Sequence, residues 1–376
     1  MGAIFLRLWS NDAVTHLTNP DGVDVVVIGG GVVGCAVAEA LSRRSLSVFL
    51  LESERGLGLR GSSRNSGVVH SGLYYPPASL KAGSCVDGNQ RLYAWCEQAG
   101  VAFRKTGKLV LARTVEELPH LQRLFDNAQA SGAPGLSLVD GAAIARLEPQ
   151  VHGLCALHCE QSGIVDAVGF TRSLASAAAS RGAHVVVGAR VLGAAPVGGD
   201  HLLDTTLGPL RAARIVNAGG FGAPAIAGFF GVHHWRHWAC RGDYFRLRSS
   251  AAYRRLVYPV KVPGDPGLGI HLTLGLDGSA RLGPDARYVD DADDVTPAEH
   301  LRSTFAAAAS RLLGPVAAED LIYDGCGVRS KLAGPGAADV DFVLHEEPAG
   351  VIHLVGIESP GLTASLSLAA DVSQRV

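Results

Sequence analysis

The sequence contains no long apolar run. Its most hydrophobic segment, between Asp24 and Glu39, is interrupted by glycines, and no stretch reaches the ~18 to 20 apolar residues that a membrane-spanning helix needs. The first 17 residues contain one arginine and a few apolar side chains but no small-residue cleavage site, so we expect no signal peptide. Both absences indicate a chain without a transmembrane segment.

The chain also carries little net charge. Its 33 Lys and Arg residues nearly balance its 35 Asp and Glu residues, which offers no basic surface for nucleic acid and favours a small-molecule partner. Seven cysteines, an odd number, are scattered through the chain and suit a reducing cytoplasm. Cys155, His158 and Cys159 are close in sequence, but no second ligand pair follows at a zinc spacing, so we expect no metal. We expect a cytoplasmic protein, with peripheral membrane contact left open.

What the sequence does contain is material for a large core. Of its 376 residues, 47% are hydrophobic and 18% are charged, which suggests about two lobes. The segment "DVVVIGGGVVGCAVAEALSRRSLSVFLLES", residues 24–53, shows an apolar run, three glycines, a helical pattern and a second apolar run that ends in an acid. This order predicts a βαβ unit.

The glycines of this segment have the spacing of a dinucleotide-binding turn. Gly29, Gly31 and Gly34 form G-x-G-x-x-G between strand and helix, where they allow a sharp turn, close approach of a pyrophosphate and close helix packing. The helix N-terminus would face the phosphates with its positive dipole end. Glu52, at the end of the second strand, is placed to accept hydrogen bonds from ribose hydroxyls. These residues alone do not separate FAD from NAD.

The remaining chain alternates between two patterns. Residues 166–191 and 211–228 repeat the helix–strand alternation and include a second glycine turn at 217–220, whereas residues 81–98 and 114–130 look helical and 242–290 look strand-rich, with a hairpin signal at Asp277-Gly278. We therefore predict an α/β protein with a Rossmann-like nucleotide-binding lobe and an inserted, strand-rich α+β substrate lobe. The predicted nucleotide-binding domain comprises 20–80, 150–228 and 322–376, and the predicted substrate domain comprises 81–149 and 229–321.

Several sequence blocks resemble one enzyme family. The loop "SSRNSGVVHSGLYYPPASLKA" is similar to the corresponding loop of the L-2-hydroxyglutarate dehydrogenase/oxidase family, within the glycine oxidase and D-amino-acid oxidase class. The resemblance continues, in order, through "CRGDYF", "YPV", "LGIHLTLGLDG", "GPDA", "GVRSKLAGPG" and "GIESPGLTASL". It implies FAD as the cofactor and oxidation of a small 2-hydroxy acid, L-2-hydroxyglutarate or a similar acid, to the 2-oxo acid by hydride transfer to flavin N5.

The resemblance also implies which residues bind the cofactor. A loop of small and polar residues would pass the pyrophosphate and the flavin, the second glycine turn would add backbone contacts, and a helix N-terminus would lie beside the flavin, where its dipole stabilises negative charge on the reduced ring. These residues are Ser62, Ser63, Arg64 and Asn65 in the loop, Gly219 in the turn, and Gly361, Leu362 and Thr363 at the helix.

Oxidation of a hydroxy acid requires a carboxylate anchor and a base. We predict Arg329 as the anchor because a guanidinium binds a carboxylate bidentately, and either His70 or His271 as the base because imidazole titrates near working pH. Tyr74 and Tyr258 either form hydrogen bonds with the substrate or line the wall of the substrate pocket. Lys331 would support the carboxylate.

Two departures from the family pattern affect the substrate. The chain has Arg64 where family members tend to have histidine, and Leu274-Gly275 where they tend to have Pro-Arg, which puts contact with a distal carboxylate in doubt. Two alternatives stay open: an amine or amino-acid oxidase on the same scaffold, and a non-catalytic flavoprotein. The electron acceptor is a quinone, oxygen or a carrier protein. NAD is not expected because only the G-x-G-x-x-G at Gly29 lies between a predicted strand and a predicted helix.

Overall fold

The computed structural model describes residues 22–248, 253–261 and 268–376; the N-terminal segment that we tested for a signal peptide lies outside these ranges. The strands are β1 (Val23–Ile28), β2 (Val48–Glu52), β3 (Val68–Val69), β4 (Phe103–Arg104), β5 (Lys108–Ala112), β6 (Leu136–Asp140), β7 (Cys155–Cys159), β8 (Gly163–Val165), β9 (His184–Val187), β10 (Val191–Val197), β11 (Asp200–Thr205), β12 (Leu210–Asn217), β13 (Trp238–Leu247), β14 (Leu256–Pro259), β15 (Leu272–Leu274), β16 (Ala280–Leu282), β17 (Arg287–Val289), β18 (Leu321–Lys331), β19 (Val343–Glu346) and β20 (Val351–Val355). The α-helices are α1 (Val32–Ser42), α2 (Leu80–Ala99), α3 (Leu118–Ala130), α4 (Gly141–Leu147), α5 (Ala167–Ser180), α6 (Ala223–Gly228), α7 (Arg302–Leu313) and α8 (Gly361–Arg375).

The described chain divides into two compact units. Unit 1 comprises the residues up to Ser63 together with Ala167–Trp238 and Ser330–Val376, and unit 2 comprises Arg64–Asp166 and Ala239–Arg329. Three segments alternate with two, as in the predicted arrangement, but the boundaries differ. Unit 1 ends at 63 instead of 80 and resumes at 167 instead of 150 because β3 pairs with β8, which keeps both strands in unit 2. It also extends to 238 instead of 228 and resumes at 330 instead of 322.

Unit 1 contains the predicted βαβ unit. Strand β1 pairs in parallel with β2 and with β12, β2 pairs in parallel with β9, and β12 pairs in parallel with β20. Helix α1 packs between α5 and α8. Apolar residues of β1 and β2 are buried on both faces of the sheet, as expected for parallel strands covered on two sides. The βαβ prediction is confirmed.

The edge of this sheet positions the candidate cofactor residues. Because β1, β2, β12 and β20 are parallel, their carboxyl ends meet at one edge, and ligands of open α/β sheets bind outside that edge. The predicted glycine turn follows β1, Glu52 ends β2, and the second glycine turn follows β12. Residues far apart in the sequence are thereby brought to one end of unit 1.

Unit 2 is built on a sheet with two buried faces. In the described ranges its strand order is β17-β13-β16-β15-β14-β5-β7-β6, with β18 on β13, and a smaller sheet has the order β3-β8-β4. Side chains alternate between the faces, so Leu109, Val257 and Phe245 pack on one face while Val110 and Tyr258 pack on the other. The second face, which also holds Lys108, is called the site face below.

Local predictions in unit 2 differ in accuracy. The hairpin at Asp277-Gly278 is confirmed, because β15 and β16 pair antiparallel across it and Gly278 has φ of +85°. Helix α3 begins at Leu118 and not at 114. The reason is that the Glu117 carboxylate accepts a hydrogen bond from the backbone N–H of Arg113, 2.6 Å away, which holds the chain in a turn before the helix.

The "CRGDYF" block contains a buried ion pair. The Arg241 Nη2 lies 2.8 Å from Oδ1 of Asp243, the Tyr323 hydroxyl donates to the same oxygen at 2.8 Å, and Arg287 also bonds to Asp243. Burial acts to raise the pKa of Asp243, but the hydrogen bonds from Arg241 and Tyr323 outweigh it and hold the pKa below the usual value. The pair is a structural part of unit 2.

Two further findings concern cysteines and membranes. All seven cysteines fall within the described ranges, and each is a free thiol. Among the described helices, none combines the length and the apolar character that crossing a membrane requires.

The buried ion pair yields a test of stability. We expect Asp243→Asn to lower the free energy of unfolding by about 3 to 5 kcal/mol. It removes the buried anion that Arg241 and Arg287 share and leaves the buried Arg241 guanidinium with only the half-exposed carboxylate of Asp294, 3.2 Å away. Urea denaturation followed by circular dichroism measures this. The control is Asp200→Asn, which breaks the half-exposed pair with Arg211 and should cost about 1 kcal/mol or less. Equal losses in the two variants would contradict the structural role.

Candidate functional site

The glycine turn of unit 1 is closed by backbone contacts that no other residue permits. Gly29 has φ of +112°, and a Cβ added to it would lie 2.4 Å from the Ala218 carbonyl oxygen. A Cβ added to Gly34 would lie 1.8 Å from the Gly29 carbonyl oxygen. Helix α1 therefore packs directly on the turn that precedes it, which is the role of the first and third glycines of this motif.

Gly31 is different, because no backbone atom of the protein closes the space beside it. Its φ of −75° suits any residue, and the nearest atom to an added Cβ is Oγ of Ser62 at 3.3 Å. It caps α1, whose first turn has no acidic side chain to neutralise the helix dipole. Ser62 accepts a hydrogen bond from the N–H of Val32 at 2.9 Å. An open, positive helix N-terminus of this kind fits a pyrophosphate.

Glu52 is held in place by backbone donors. Its Oε2 accepts a hydrogen bond from the N–H of Gly30 at 2.6 Å, and its Oε1 accepts from the N–H of Glu54 at 2.7 Å and from the Ser53 hydroxyl at 3.2 Å. A carboxylate offers about four acceptor positions. The carboxylate is thus fixed at the end of β2 with capacity for a hydroxyl donor, as the ribose of a dinucleotide requires.

The predicted loop residues fall on both sides of the unit boundary. Ser63 donates from its hydroxyl to the Arg60 carbonyl at 3.1 Å in unit 1. In unit 2, Arg64 is exposed, and Oδ1 of Asn65 accepts from the N–H of Gly67 at 2.7 Å. A Cβ on Gly327 would lie 2.0 Å from the Arg64 carbonyl oxygen, so the glycine of "GVRSK" lets β18 approach this loop.

The second turn and the last helix complete the edge of unit 1. Asn217 donates to the Ala223 carbonyl at 2.8 Å and accepts from the N–H of Gly219 at 3.2 Å, which fixes the turn. Helix α8 begins at Gly361, followed by Leu362 and the buried Thr363, and its first turn also lacks acidic residues. Small residues, uncompensated helix N-termini and an oriented carboxylate together fit a dinucleotide cofactor.

Unit 2 brings the predicted substrate residues together on its site face. His271 stacks on Tyr258 with ring centroids 3.7 Å apart and an interplanar angle of 22°. Nδ1 of His271 lies 2.7 Å from the Gly269 carbonyl oxygen. Because a carbonyl only accepts, Nδ1 carries the proton and Nε2 keeps a lone pair.

Both histidines are neutral at physiological pH. Burial lowers the pKa of His271 to about 3, and the neighbouring Lys108 and Arg329 act in the same direction. Burial, Lys108 and His271 hold the pKa of His70 well below its usual value. His70 follows β3, and its carbonyl accepts a hydrogen bond from the Asn89 side chain at 2.8 Å. Neutral imidazoles can accept protons without first losing one.

Lys108 is a member of this cluster that the sequence analysis missed. Its side chain is 0% exposed, and its Nζ lies 4.0 Å from the ring centroid of Tyr258 and 5.7 Å from that of Tyr74. Burial lowers its pKa from 10.5 to about 8. The available signal was a lysine at the start of the apolar run 108–112, directly after a glycine.

Tyr74 and Arg329 also face this cluster with unused bonding capacity. The Tyr74 hydroxyl is buried and has no hydrogen-bond partner among the described residues. The Arg329 Nη2 donates to the Asp285 carbonyl at 3.1 Å, and within the described ranges no carboxylate pairs with this guanidinium. A Cβ on Gly242 would lie 2.9 Å from the Arg329 Nη2, so this glycine makes room for the guanidinium.

Lys331 is paired within its own unit. It lies in unit 1, where its Nζ is 2.8 Å from Oδ1 of Asp339 and 3.3 Å from Oε1 of Glu358. Two carboxylates already balance its charge.

Comparison with known proteins gives the family. A profile described as FAD dependent oxidoreductase matches residues 24–375. The chain belongs to this family. The fold and the resemblance predicted from the sequence motifs are confirmed, and the protein is an FAD-dependent oxidoreductase.

Individual relatives agree with this assignment. The mitochondrial L-2-hydroxyglutarate dehydrogenase of Arabidopsis thaliana is 33% identical over 411 residues, covering 94% of this chain and 83% of the relative. The dithionite-reduced L-α-glycerophosphate oxidase of Mycoplasma pneumoniae, with FAD bound, has a TM-score of 0.85 at 25% identity and 94% coverage of both chains. Glycine oxidase from Geobacillus kaustophilus shares the fold, with a TM-score of 0.80 at 21% identity and coverage of 94% and 95%.

The space beside Gly31 gives a test of the cofactor site. We expect Gly31→Ala to fold, because its φ suits alanine and the one atom near the added Cβ, Oγ of Ser62 at 3.3 Å, belongs to a side chain that can shift by a few tenths of an ångström. We expect the variant to bind FAD at least about 10-fold more weakly, since the methyl fills space needed by the pyrophosphate. Fluorescence titration of the apoprotein with FAD measures the affinity, and the thermal unfolding temperature of the apoprotein reports folding.

The matched control for this variant is Gly193→Ala. A Cβ there meets nothing within 4 Å, so both affinity and stability should stay at the parental values. Parental FAD affinity in Gly31→Ala would show that the cofactor lies elsewhere.

Proposed function

We propose that this chain oxidises a small L-2-hydroxy acid, L-2-hydroxyglutarate or a close analogue, to the 2-oxo acid. The observation that carries the proposal is the combination on the site face of an arginine without a carboxylate partner and a buried, neutral histidine. The name of the Arabidopsis thaliana relative supports the same substrate class. When bound, FAD supplies the acceptor for the two electrons.

In this proposal Arg329 holds the C1 carboxylate. The guanidinium has five donors in a planar fork, and hydrogen bonds of the described residues engage it only through the Asp285 carbonyl and the Cys240 thiol. A bidentate carboxylate bond would fix both the position and the orientation of the acid. The neighbouring carbon would then be presented in one orientation to the base.

The base is one of the two neutral histidines. Either His271 or His70 takes the hydroxyl proton as the carbon is oxidised. The lowered pKa values keep both rings in the neutral form, whose lone pair can accept a proton, and also make both rings weaker bases in the protein without substrate. Tyr258 supports the His271 ring by stacking, and the Gly269 carbonyl fixes its tautomer. The buried surroundings exclude water from the proton transfer.

Reduction by substrate decides between this function and its alternatives. Purified holoprotein should lose its flavin absorbance anaerobically with L-2-hydroxyglutarate and keep it with glycine, L-glutamate and simple amines. Bleaching by an amino acid alone would establish the amino-acid oxidase alternative. No bleaching with any acid would favour a non-catalytic flavoprotein. Reoxidation by air, by a quinone analogue or by neither then separates the electron acceptors.

Arg329→Lys tests the carboxylate anchor. We expect KM for the acid to rise by about 10- to 100-fold with FAD content unchanged, because a lysine cannot reproduce the bidentate bond. Steady-state kinetics with a dye acceptor measures this. Arg248→Lys is the control, since Arg248 is an exposed arginine of unit 2 that donates to the Glu319 carbonyl, and its KM should not change. An unchanged KM in Arg329→Lys would remove the anchor from the proposal.

His70→Gln and His271→Gln test the base. The variant that removes the base should lower the limiting rate of anaerobic flavin reduction by about 100- to 10,000-fold, and the other variant should retain most of the rate. In the parent protein this rate should stay level between about pH 5 and 7.5, because a histidine whose pKa is lowered remains neutral there. Parental rates in both variants, or an acid limb near the usual histidine pKa, would contradict this role.

A further inference from the structure

Lys108 is buried at a position where a lysine normally reaches water. It is the first residue of β5, and its backbone pairs with Leu256 of β14 and Cys159 of β7. Gly107 precedes it with φ of +71°, a conformation that glycine adopts at little cost. The side chain lies on the site face and is 0% exposed. A long cationic side chain therefore ends inside unit 2, which is rare without a partner.

This ammonium has no anionic partner among the described residues. Its Nζ makes no hydrogen bond there and contacts the ring of Tyr258. Burial raises the pKa of the neighbouring Cys85 thiol to about 12, so that thiol is not an anion at neutral pH. Burial of a lone cation is costly unless an opposite charge joins it. The structure thus shows a charge prepared for an anion that binds from outside the chain.

Tyr74 supplies a second unused donor beside the lysine. Its hydroxyl is buried and unpartnered among the described residues, and Nζ of Lys108 lies 5.7 Å from its ring centroid. Burial raises the pKa of the Tyr74 hydroxyl, so it remains a neutral donor. An ammonium and a hydroxyl that both lack acceptors fit the two oxygens of a carboxylate.

The charge count of the site face favours a dianion. Lys108 lies over the ring of Tyr258, on which His271 stacks, and Arg329 is close enough to His271 to act on its pKa. Within the described ranges neither Lys108 nor Arg329 forms an ion pair. A monocarboxylic acid would neutralise one of them and leave the other buried without an anion. A dicarboxylic acid neutralises both.

Arg104 is a weaker candidate than Lys108 for a second carboxylate. It reaches the Gly275 carbonyl at 2.8 Å, but it is exposed and water competes with any anion there. Lys108 is buried on the site face and has no ion pair among the described residues, so an anion would gain more from contact with it.

We propose that Lys108 and Tyr74 bind the second carboxylate of a 2-hydroxy dicarboxylic acid whose first carboxylate is held by Arg329. This inference rests on the proposed function and adds to it the length and charge of the substrate. Lys108 is a specificity-determining residue in this account, because it distinguishes a diacid from a monoacid of the same chain length.

The test is Lys108→Met, which keeps the length of the side chain and removes its charge. With L-2-hydroxyglutarate, kcat/KM should fall by about 100-fold, as expected when one partner of a buried charge pair is lost. With L-2-hydroxypentanoate, which lacks the second carboxylate, kcat/KM should change by less than about 3-fold. The affinity of the holoprotein for glutarate, measured by calorimetry, should fall by a similar factor to kcat/KM for L-2-hydroxyglutarate.

The control variant is Lys105→Met. Lys105 is an exposed lysine whose Nζ lies 4.6 Å from the ring centroid of Tyr93. Its replacement should leave kcat/KM for both substrates unchanged. Lys108→Met should also melt at the parental temperature or above it and retain FAD, because an unpaired buried charge is removed. A lower melting temperature together with loss of FAD in Lys108→Met would show that the lysine has a structural role. Lys108→Gln should then show the same lower melting temperature and the same loss of FAD.

The pH dependence gives a second readout. The cationic form binds the carboxylate, so glutarate affinity should fall as the pH rises above about 8, where the lysine of the free protein loses its proton. In Lys108→Met this alkaline limb should disappear. The titratable groups that face the lysine are His70, His271, Tyr74, Tyr258, Cys85 and Cys159. Burial lowers the pKa of both histidines, which are neutral in this range, and raises the pKa of Tyr74, Tyr258 and Cys85, which keep their protons.

The outcomes separate this inference from the proposed function. If the parent protein oxidises neither hydroxy acid, the proposed function fails whatever Lys108 does. If the parent oxidises L-2-hydroxyglutarate and Lys108→Met lowers kcat/KM for both substrates by the same factor, the lysine acts on the 2-hydroxy acid group that the two substrates share. The inference is then overturned. Unchanged kinetics for both substrates overturns it as well.

Discussion

The close packing of helix α1 on the turn before it is the constraint on which unit 1 depends. With no side chain at Gly34, the helix can approach the Gly29 carbonyl, and this contact fixes where the helix begins relative to β1. Its N-terminus then points outward at the carboxyl edge of the parallel sheet, where Glu52 ends the next strand. The position of Gly31 at the start of the helix, where an added Cβ would meet only Oγ of Ser62, follows from the same geometry. One backbone contact thereby sets where helix α1 begins, which end of its dipole faces outward, and how much space lies beside it at the carboxyl edge of the sheet.

The sequence predicts this part of the fold well because its signals are local. Glycines, apolar runs and the acid at the end of β2 all lie within residues 24–53, and each acts on its immediate neighbours. The unit boundary was harder to predict, since it depends on the pairing of Val68 with Ile164, which are far apart in the chain. Lys108 could not be identified for the same reason. Its burial is produced by two strands, β7 and β14, that join β5 from distant parts of the sequence.

Arginines in unit 2 show why residue type alone does not identify a site. Arg241 and Arg329 both lie on strands of the same sheet, yet Arg241 is bound to Asp243 while Arg329 donates to a carbonyl and has no carboxylate partner in the described ranges. The first stabilises the unit, whereas in the proposed function the second keeps its planar set of donors for the substrate carboxylate. The "CRGDYF" block serves both, because alternate residues of β13 face opposite sides, and Gly242 makes room for the Arg329 guanidinium.

The proposed reaction separates binding from catalysis within this cluster. A 2-hydroxy diacid and the 2-oxo diacid formed from it carry the same charge, because the carbon loses a hydride and the oxygen a proton. Contacts of Arg329 and Lys108 with the carboxylates are therefore similar before, during and after oxidation, so they lower KM without speeding the chemical step. Among the side chains that contact the substrate in this proposal, only the histidine changes its charge. Burial is the largest cause of the low pKa of His271, and the two cations lower it further; the two carboxylates of the substrate would neutralise this added contribution. Substrate binding thus makes the base stronger at the moment when it is needed.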